Sequence, residues 1–307
     1  MKAVFIEQHG GPEVLRYGDL PDPAPKPGEV VVDVLAASVN GADWKVRAGE
    51  SHRQSQFPYI LGRDFSGMVG ALGDGVRDLR VGDPVFGVLD LGRDGAYAEK
   101  IAIKAAIVTK KPERMSHPQA AALALTGLTA LSAIEETLAL RSGETILIQG
   151  GAGGVASFAI QLAKHIGARV ITTVSAANHA YLRGLGADEV IDYNARDFTA
   201  IGAVCDAVFD TVGDDVAQKS FAVLKPGGRG AFIASGANAP APDRPDVKAL
   251  RPPVGRARRH LDRIAELFLA GAIRAPDIKL YPLSEAAAAH KVSQSRHVRG
   301  KLVLQVR

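Results

Sequence analysis

The chain has 307 residues, 47% hydrophobic and 23% charged, with a formal charge of +4 and a sequence pI near 9.1. That composition is ordinary for a globular protein long enough for two domains, and it excludes collagen-like, coiled-coil and disordered classes. The single cysteine, Cys205, excludes an internal disulfide framework and most thiolate metal sites.

The opening MKAVFIEQHGG carries one positive charge and a short apolar run before Glu7, unlike a secretory signal, so a cytoplasmic location is expected. KAVFI, EVVVDVLAAS, FSGMVGAL and DPVFGV then alternate or run apolar between Gly and Pro turns, which predicts a β-rich unit. Near Pro118 the texture changes, and PQAAALALTGLTALSAIEETL reads as a helix. Its uncharged run from Gln119 to Ile134 is interrupted by Thr126, Gly127, Thr129 and Ser132 and falls short of the ~18 apolar residues a membrane span needs. No membrane span is expected.

From Glu144 onward strands and helices alternate. TILIQG reads as a strand, and VASFAIQLAKHIG as a helix with Val155, Ala159, Leu162, Ala163 and Ile166 on one face and Gly167 as its C-cap. RVITTV, NHAYLRGLGA, EVIDY, CDAVFDTVG, a helix across Val216 to Leu224, a PGG turn and RGAFIAS continue the rhythm, which predicts a parallel sheet with right-handed crossovers. Cys205 falls in one of these strands and reads as a core thiol. A helix near His260 to Ala270 follows, then a return to β at IKLYPL and KLVLQV, the last piece rejoining the N-terminal unit. Arginines crowd between Arg251 and Arg263, but no aromatic residues interleave for base stacking, so no nucleic-acid partner is expected. This region reads as a solvated loop entering a helix, or in a milder functional version as the rim of an anion-binding mouth.

The strongest chemical signal is GGAGGVA, Gly150 to Ala156, between a strand and a helix. Gly151, Gly153 and Ala156 match G-x-G-x-x-G/A: one glycine for the tight turn, one for close approach of a pyrophosphate, and a small residue where helix meets sheet. The helix N-terminus would then face phosphates. About 20 positions on, where an NAD enzyme places a carboxylate for the ribose, stands Ser175, followed by His179 and Arg183. A small hydroxyl leaves room for a 2′-phosphate, which favours NADPH as the cofactor.

The stretches ASVNGADWKVRAG, LGRDFSGMV, VGDPVFG, GAYAE, LTGLTA, GGAGGVA, LGADEVIDY, DAVFDTVG, LKPGGR and RGKLVL occur in the order seen in one family. The chain resembles the quinone oxidoreductase (zeta-crystallin-like) branch of the medium-chain dehydrogenase/reductase superfamily. The resemblance implies an α/β protein in which a Rossmann doubly wound parallel sheet, residues 118–270, is inserted into a GroES-like β-rich catalytic domain, residues 1–117 and 271–307, with the active site in the cleft. It also implies NADPH and a homodimer. Carried over by residue, Gly150, Gly151, Gly153, Gly154 and Val155 belong to the pyrophosphate turn. Ser175 and His179 would face the adenosine phosphate, although relatives usually carry Lys near the latter, and Tyr193 would lie at the adenosine end. Gly213 and the Phe232 to Gly236 turn, with Ile233 and Ser235, would border the nicotinamide. Thr126, Asn40 and Lys45 would face the nicotinamide or the substrate.

The chain departs from its zinc-bearing relatives. Where they read GHE this chain reads GRD, with Arg63 in the place of a histidine ligand, and no cysteine precedes residue 205. His9, His52, His117 and His297 show no ligand spacing. No metal is expected, and Arg63 reads as an ion-pair partner of Asp43 or Asp64. Trp44 reads as packing. Some quinone reductases carry tyrosines where Lys45 and Ser51 stand, so the substrate pocket differs.

Without a metal or a Ser/His/Asp set, the protein orients a substrate against the cofactor and stabilises charge where it develops. Lys45 and Asn40 are the candidate donors to the carbonyl oxygen of a quinone or α,β-unsaturated carbonyl. Two other readings stay open: an enoyl-thioester reductase, with Arg251 to Arg263 holding a phosphopantetheine or CoA phosphate, and a non-catalytic NADPH-binding protein.

Overall fold

The computed structural model describes residues 1–50, 56–90, 93, 95–235, 239–253 and 255–307. The chain divides into two compact units, one of Met1–Leu125, Arg256–Leu269 and Ala275–Arg307, the other of Thr126–Gly255 and Ala270–Arg274.

The first unit is built on a sheet whose spine is the long strand Glu29–Val39, EVVVDVLAASV. It is buried along nearly its whole length because it pairs with Asp64–Leu72, Lys100–Lys104 and Lys301–Gln305, all antiparallel. Val30, Val32, Val34, Phe65, Val85 and Leu304 form its core. The C-terminal KLVLQ does rejoin this sheet, Leu302 standing opposite Val39. Lys2–Ile6 forms a smaller sheet with Arg16–Asp19 and Tyr59–Ile60.

The second unit is a six-stranded parallel sheet in the order Glu189–Asp192, Arg169–Val174, Thr145–Ile148, Cys205–Asp210, Leu224–Phe232, Lys248–Leu250. Its pairings are parallel throughout. Thr145–Ile148, the earliest of these strands in the chain, lies between Arg169–Val174 and Cys205–Asp210, so the order reverses between Thr145–Ile148 and Cys205–Asp210, the switch point where open α/β sheets bind ligands. The helix Gly154–Ile166 buries Ala159, Leu162 and Ala163, and Gly167 caps it in the left-handed region at φ +94°, its amide donating to Ala163 O.

Two boundaries differ from the sequence expectation. The division falls at 125/126, inside the helix His117–Leu131, because Ala121 and Ala122 pack with Ala36 and Val303 of the first sheet. The helix Arg258–Leu269, expected with the parallel sheet, belongs to the first unit. Thr109 hydrogen-bonds Asp262, and Arg258 pairs with Asp78 and the Ala105 carbonyl. No described helix is long and apolar enough to cross a membrane.

Candidate functional site

In the second unit, the glycine turn leaves the carboxyl end of Thr145–Ile148 at the switch point. Gly150 adopts φ +72°, a conformation that side chains rarely accept. Its N–H donates to Thr173 Oγ1 at 3.2 Å, and Gly151 N–H donates to Thr173 O at 3.0 Å. A Cβ on Gly151 would stand 2.3 Å from Thr172 Oγ1, whereas one on Gly153 would meet nothing closer than Gly150 O at 3.6 Å. Gly150 and Gly151 therefore shape the turn, and Gly153 leaves its outer side open. Gly154 and Val155 begin the helix, where N–H groups have no intrahelical partner.

A buried polar network fixes this turn from beneath. Thr173 Oγ1 donates to Gln149 Oε1 at 2.5 Å, Gln149 Nε2 donates to Ser220 Oγ at 3.1 Å, and Thr211 Oγ1 donates to Gln149 O at 2.8 Å. Thr211 opens the neighbouring turn after Cys205–Asp210. There the buried Asp210 carboxylate accepts from Val212 N–H at 3.2 Å and Gly213 N–H at 2.9 Å. Burial pushes its carboxyl up to about 6, against the two backbone donors. Gly213 has φ +87° and comes so close to Ala234 that a Cβ would lie 3.0 Å from Ala234 O. Sequence reasoning assigned nothing to Gln149, Thr173 or Asp210. Their only signal was their place beside the two turns.

The remaining residues expected at a cofactor divide by environment. Ser175 is half-buried, and its Oγ accepts from Asn178 Nδ2 at 3.4 Å. Among the described residues, His179 Nε2 and Ser235 Oγ are shielded from solvent without a hydrogen-bond partner, the state of groups that await a polar ligand. Tyr193 is 51% exposed, Ile233 half-buried and Thr126 buried. Gly236 lies outside the described residues. An open glycine turn, a helix N-terminus and two orphaned donors or acceptors fit a phosphate-bearing dinucleotide.

In the first unit, Asn40 caps the helix Gly41–Arg47. Its backbone N–H donates to Asp43 Oδ2 at 2.8 Å, and the buried Asp43 also accepts from Tyr97 OH at 2.9 Å. Asp43 faces Arg63 Nε at 3.7 Å, which makes Arg63 the ion-pair partner expected of it. The Asn40 carboxamide is held at both ends. Oδ1 accepts from Lys301 Nζ at 2.6 Å, and Nδ2 donates to Asp64 Oδ1 at 2.9 Å and Ser38 O at 3.3 Å. With both amide hydrogens committed, Asn40 has none left to offer a carbonyl oxygen, contrary to the donor role expected of it. Lys45 is half-buried, its Nζ 5.6 Å from the centre of the packed Trp44 ring. Ser51 and His52 lie outside the described residues.

Cys205 is a core thiol that burial pushes up to about 12. The basic stretch is largely absorbed internally: Arg251 Nη1 donates to Phe232 O at 2.7 Å, and Arg258 is held by Asp78. Val254 lies outside the described residues.

A family model described as an alcohol dehydrogenase GroES-like domain matches residues 26–113, and one described as a zinc-binding dehydrogenase matches residues 185–304. The chain is 36% identical to a 2-methylene-furan-3-one reductase of Solanum lycopersicum over 74% of this chain and 61% of that protein, thus less than two thirds of its length. It is 34% identical to a quinone oxidoreductase of Pseudomonas aeruginosa, over 99% of both. The solved quinone oxidoreductase of Coxiella burnetii is similar at a TM-score of 0.94 and 36% identity, covering 100% of this chain and 99% of that one. The Escherichia coli quinone oxidoreductase, solved in complex with NADPH, gives 0.90 at 28% identity over 100% of both. The chain belongs to the quinone oxidoreductase branch of the medium-chain dehydrogenase/reductase superfamily.

Proposed function

We propose that this protein reduces quinones or α,β-unsaturated carbonyls with NADPH and without a metal. The observation that carries the reading is the glycine turn at the switch point, open over Gly153 and followed by Ser175 where a ribose-reading carboxylate would stand. The names of the relatives, a quinone oxidoreductase and a reductase of an exocyclic enone, support the substrate class.

NADPH supplies the hydride when bound. The first-turn amides of Gly154 and Val155 would hold its pyrophosphate. Ser175 and His179, whose Nε2 is unpartnered, would take the 2′-phosphate, and Ser235 and Gly213 would border the nicotinamide end. Lys45 would stabilise negative charge building on the substrate oxygen and return a proton to it. A quinone or enone spreads that charge through conjugation, so one modest donor suffices where a simple ketone needs a dedicated acid. The metal-free reading rests on Arg63 and the single cysteine, itself a core residue. The internal bonds of Arg251 and Arg258 weigh against a phosphopantetheine mouth there.

The reading includes a homodimer, because among the described residues the strand Lys248–Leu250 ends its sheet with a single neighbour, an edge to which a second copy could pair. It also includes a cytoplasmic location, since an unpaired cysteine suits a reducing compartment. The deciding experiment is an acceptor screen that follows NADPH consumption with simple quinones, enones, crotonyl-CoA and ethanol plus NADP. Turnover of quinones or enones above the others is expected. Oxidation of ethanol with every quinone and enone ignored refutes the reaction class, and NADPH binding with no acceptor reduced refutes catalysis.

A further inference from the structure

The Asn40 carboxamide sits between Lys301 and Asp64, which make no hydrogen bond to each other; burial works against the charge on both, holding the Lys301 amine below and the Asp64 carboxyl above its usual range. Lys301 Nζ approaches Oδ1 at 2.6 Å and also donates to Val39 O at 2.6 Å. Asp64 receives Asn40 Nδ2 at 2.9 Å, Ser38 Oγ at 2.8 Å on either oxygen, and Leu125 N–H at 3.3 Å. Asp64 is 0% exposed and Lys301 6%. Lys301 Nζ donates to Val39 O as well as to Oδ1, and Asp64 accepts from every partner it has here, so the amide between them has one allowed orientation. Flipped, it would turn its NH₂ to the Lys301 amine and its oxygen to the Asp64 carboxyl.

The helix start that follows Asn40 is held from a second side. His290 Nδ1 lies 3.2 Å from Arg47 Nη1, and His290 Nε2 lies 3.3 Å from Tyr97 OH, which donates to Asp43. Because Arg47 can only donate, His290 accepts at Nδ1 and carries its proton on Nε2. Donors thus run from Arg47 through His290 and Tyr97 to Asp43, which receives the Asn40 N–H. Both networks converge on the residue that begins the helix bearing Lys45.

Stability alone does not call for this arrangement, since apolar side chains of similar volume commonly replace buried ion pairs with no loss. We infer that Asp64 and Lys301 are positioning residues for the reaction: they hold the Asn40 carboxamide in a single orientation and through it fix the start of the helix carrying Lys45. The inference rests on the proposed reduction, and neither residue is assigned contact with the substrate.

Lys301→Met is expected to lower kcat on the best acceptor by on the order of 10²-fold through misplacement, with NADPH affinity unchanged, and Lys301→Arg to recover part of the loss. If Lys301 acts through Asn40, the Asn40→Ala/Lys301→Met double variant is no slower than Asn40→Ala alone. Native kcat in Lys301→Met, or losses that multiply in the double variant, overturns the inference. Should Lys301→Met fail to fold, Asp64→Asn/Lys301→Met removes both charges together and is read against the same criteria. A second readout is independent of turnover. In protein selectively labelled with ¹⁵N-asparagine, the two Asn40 carboxamide protons should be resolved and slow to exchange, and should exchange rapidly in Lys301→Met. Fast exchange in the native protein overturns the clamp, whereas a native protein that reduces nothing overturns the reduction and leaves the clamp to this measurement.

Discussion

Replacing Gly151 and Gly153 by alanine, one at a time, separates the two tasks of the glycine turn. At Gly151 the new methyl would lie 2.3 Å from Thr172 Oγ1 and 2.7 Å from Leu182 Cδ1, both on fully buried side chains. Thr172 would have to move and weaken its 2.7 Å bond to Ile148 O. Overpacking of that kind costs roughly 1–3 kcal/mol, and the strained hydrogen bond about 1 more, so Gly151→Ala should lose about 2–4 kcal/mol of stability. At Gly153 the φ of −71° suits any residue, and the nearest atom is 3.6 Å away. Gly153→Ala should therefore change stability by no more than about 0.5 kcal/mol. Its methyl instead occupies the open side where a pyrophosphate would approach, so NADPH affinity should fall by about tenfold or more, ~1.4 kcal/mol. Urea unfolding followed by far-UV circular dichroism measures the first quantity, because the single tryptophan, Trp44, lies in the other unit. Titration of NADPH fluorescence measures the second. Native stability in Gly151→Ala refutes the packing argument, and native affinity in Gly153→Ala refutes the placement of the phosphates.

Ser175→Asp should reverse the cofactor preference from NADPH to NADH through repulsion of the 2′-phosphate and a new ribose acceptor; Kd values for both cofactors check this, and an unchanged ratio refutes it. Lys45→Met should cost on the order of 10²-fold in kcat with NADPH affinity intact, as for loss of a donor to a developing oxyanion. The Asp210 carboxyl, raised from 3.8 to about 6 by burial, should titrate near 6 by ¹³C NMR, and a midpoint near 4 refutes that placement. Because the folded value is the higher one, the favourable contribution is full below about 3.8 and is lost as pH rises through about 6, amounting to roughly 3 kcal/mol. Elemental analysis of purified protein should find no stoichiometric zinc, and zinc with activity lost to chelators refutes the metal-free reading.

Five of the six strands of the parallel sheet were legible because each carries a short apolar run followed by a 3.6-periodic segment or a turn, a signal that survives without tertiary knowledge, whereas the three-residue Lys248–Leu250 has no such run and was not read. The glycine turn was legible for a related reason: backbone geometry restricts residue type so strongly there that composition reveals conformation. The helix Arg258–Leu269 shows where such reasoning stops. Its periodicity marks a buried face but does not say against what, and its attachment depends on Thr109, Asp78 and Ala105, far back in the chain. Asn40 is the sharper case. Its place at a helix start can be read locally, but the direction of its amide is set partly by Lys301, 261 positions away. Lys301 had appeared only as one letter of RGKLVL, and Asp64 only as a partner for Arg63.

Cys205 is the one sulfhydryl of the chain, fully enclosed in the strand Cys205–Asp210, with a paired strand on each side. A thiol pushed up to about 12 carries almost no thiolate at neutral pH, so an alkylating reagent cannot reach a nucleophile until that strand comes away from its neighbours. The pace at which iodoacetamide modifies the native protein therefore counts openings of the parallel sheet, one label per molecule. The native sequence thus contains a clock for the breathing of its nucleotide-binding half, and cofactor that braces that half should slow it.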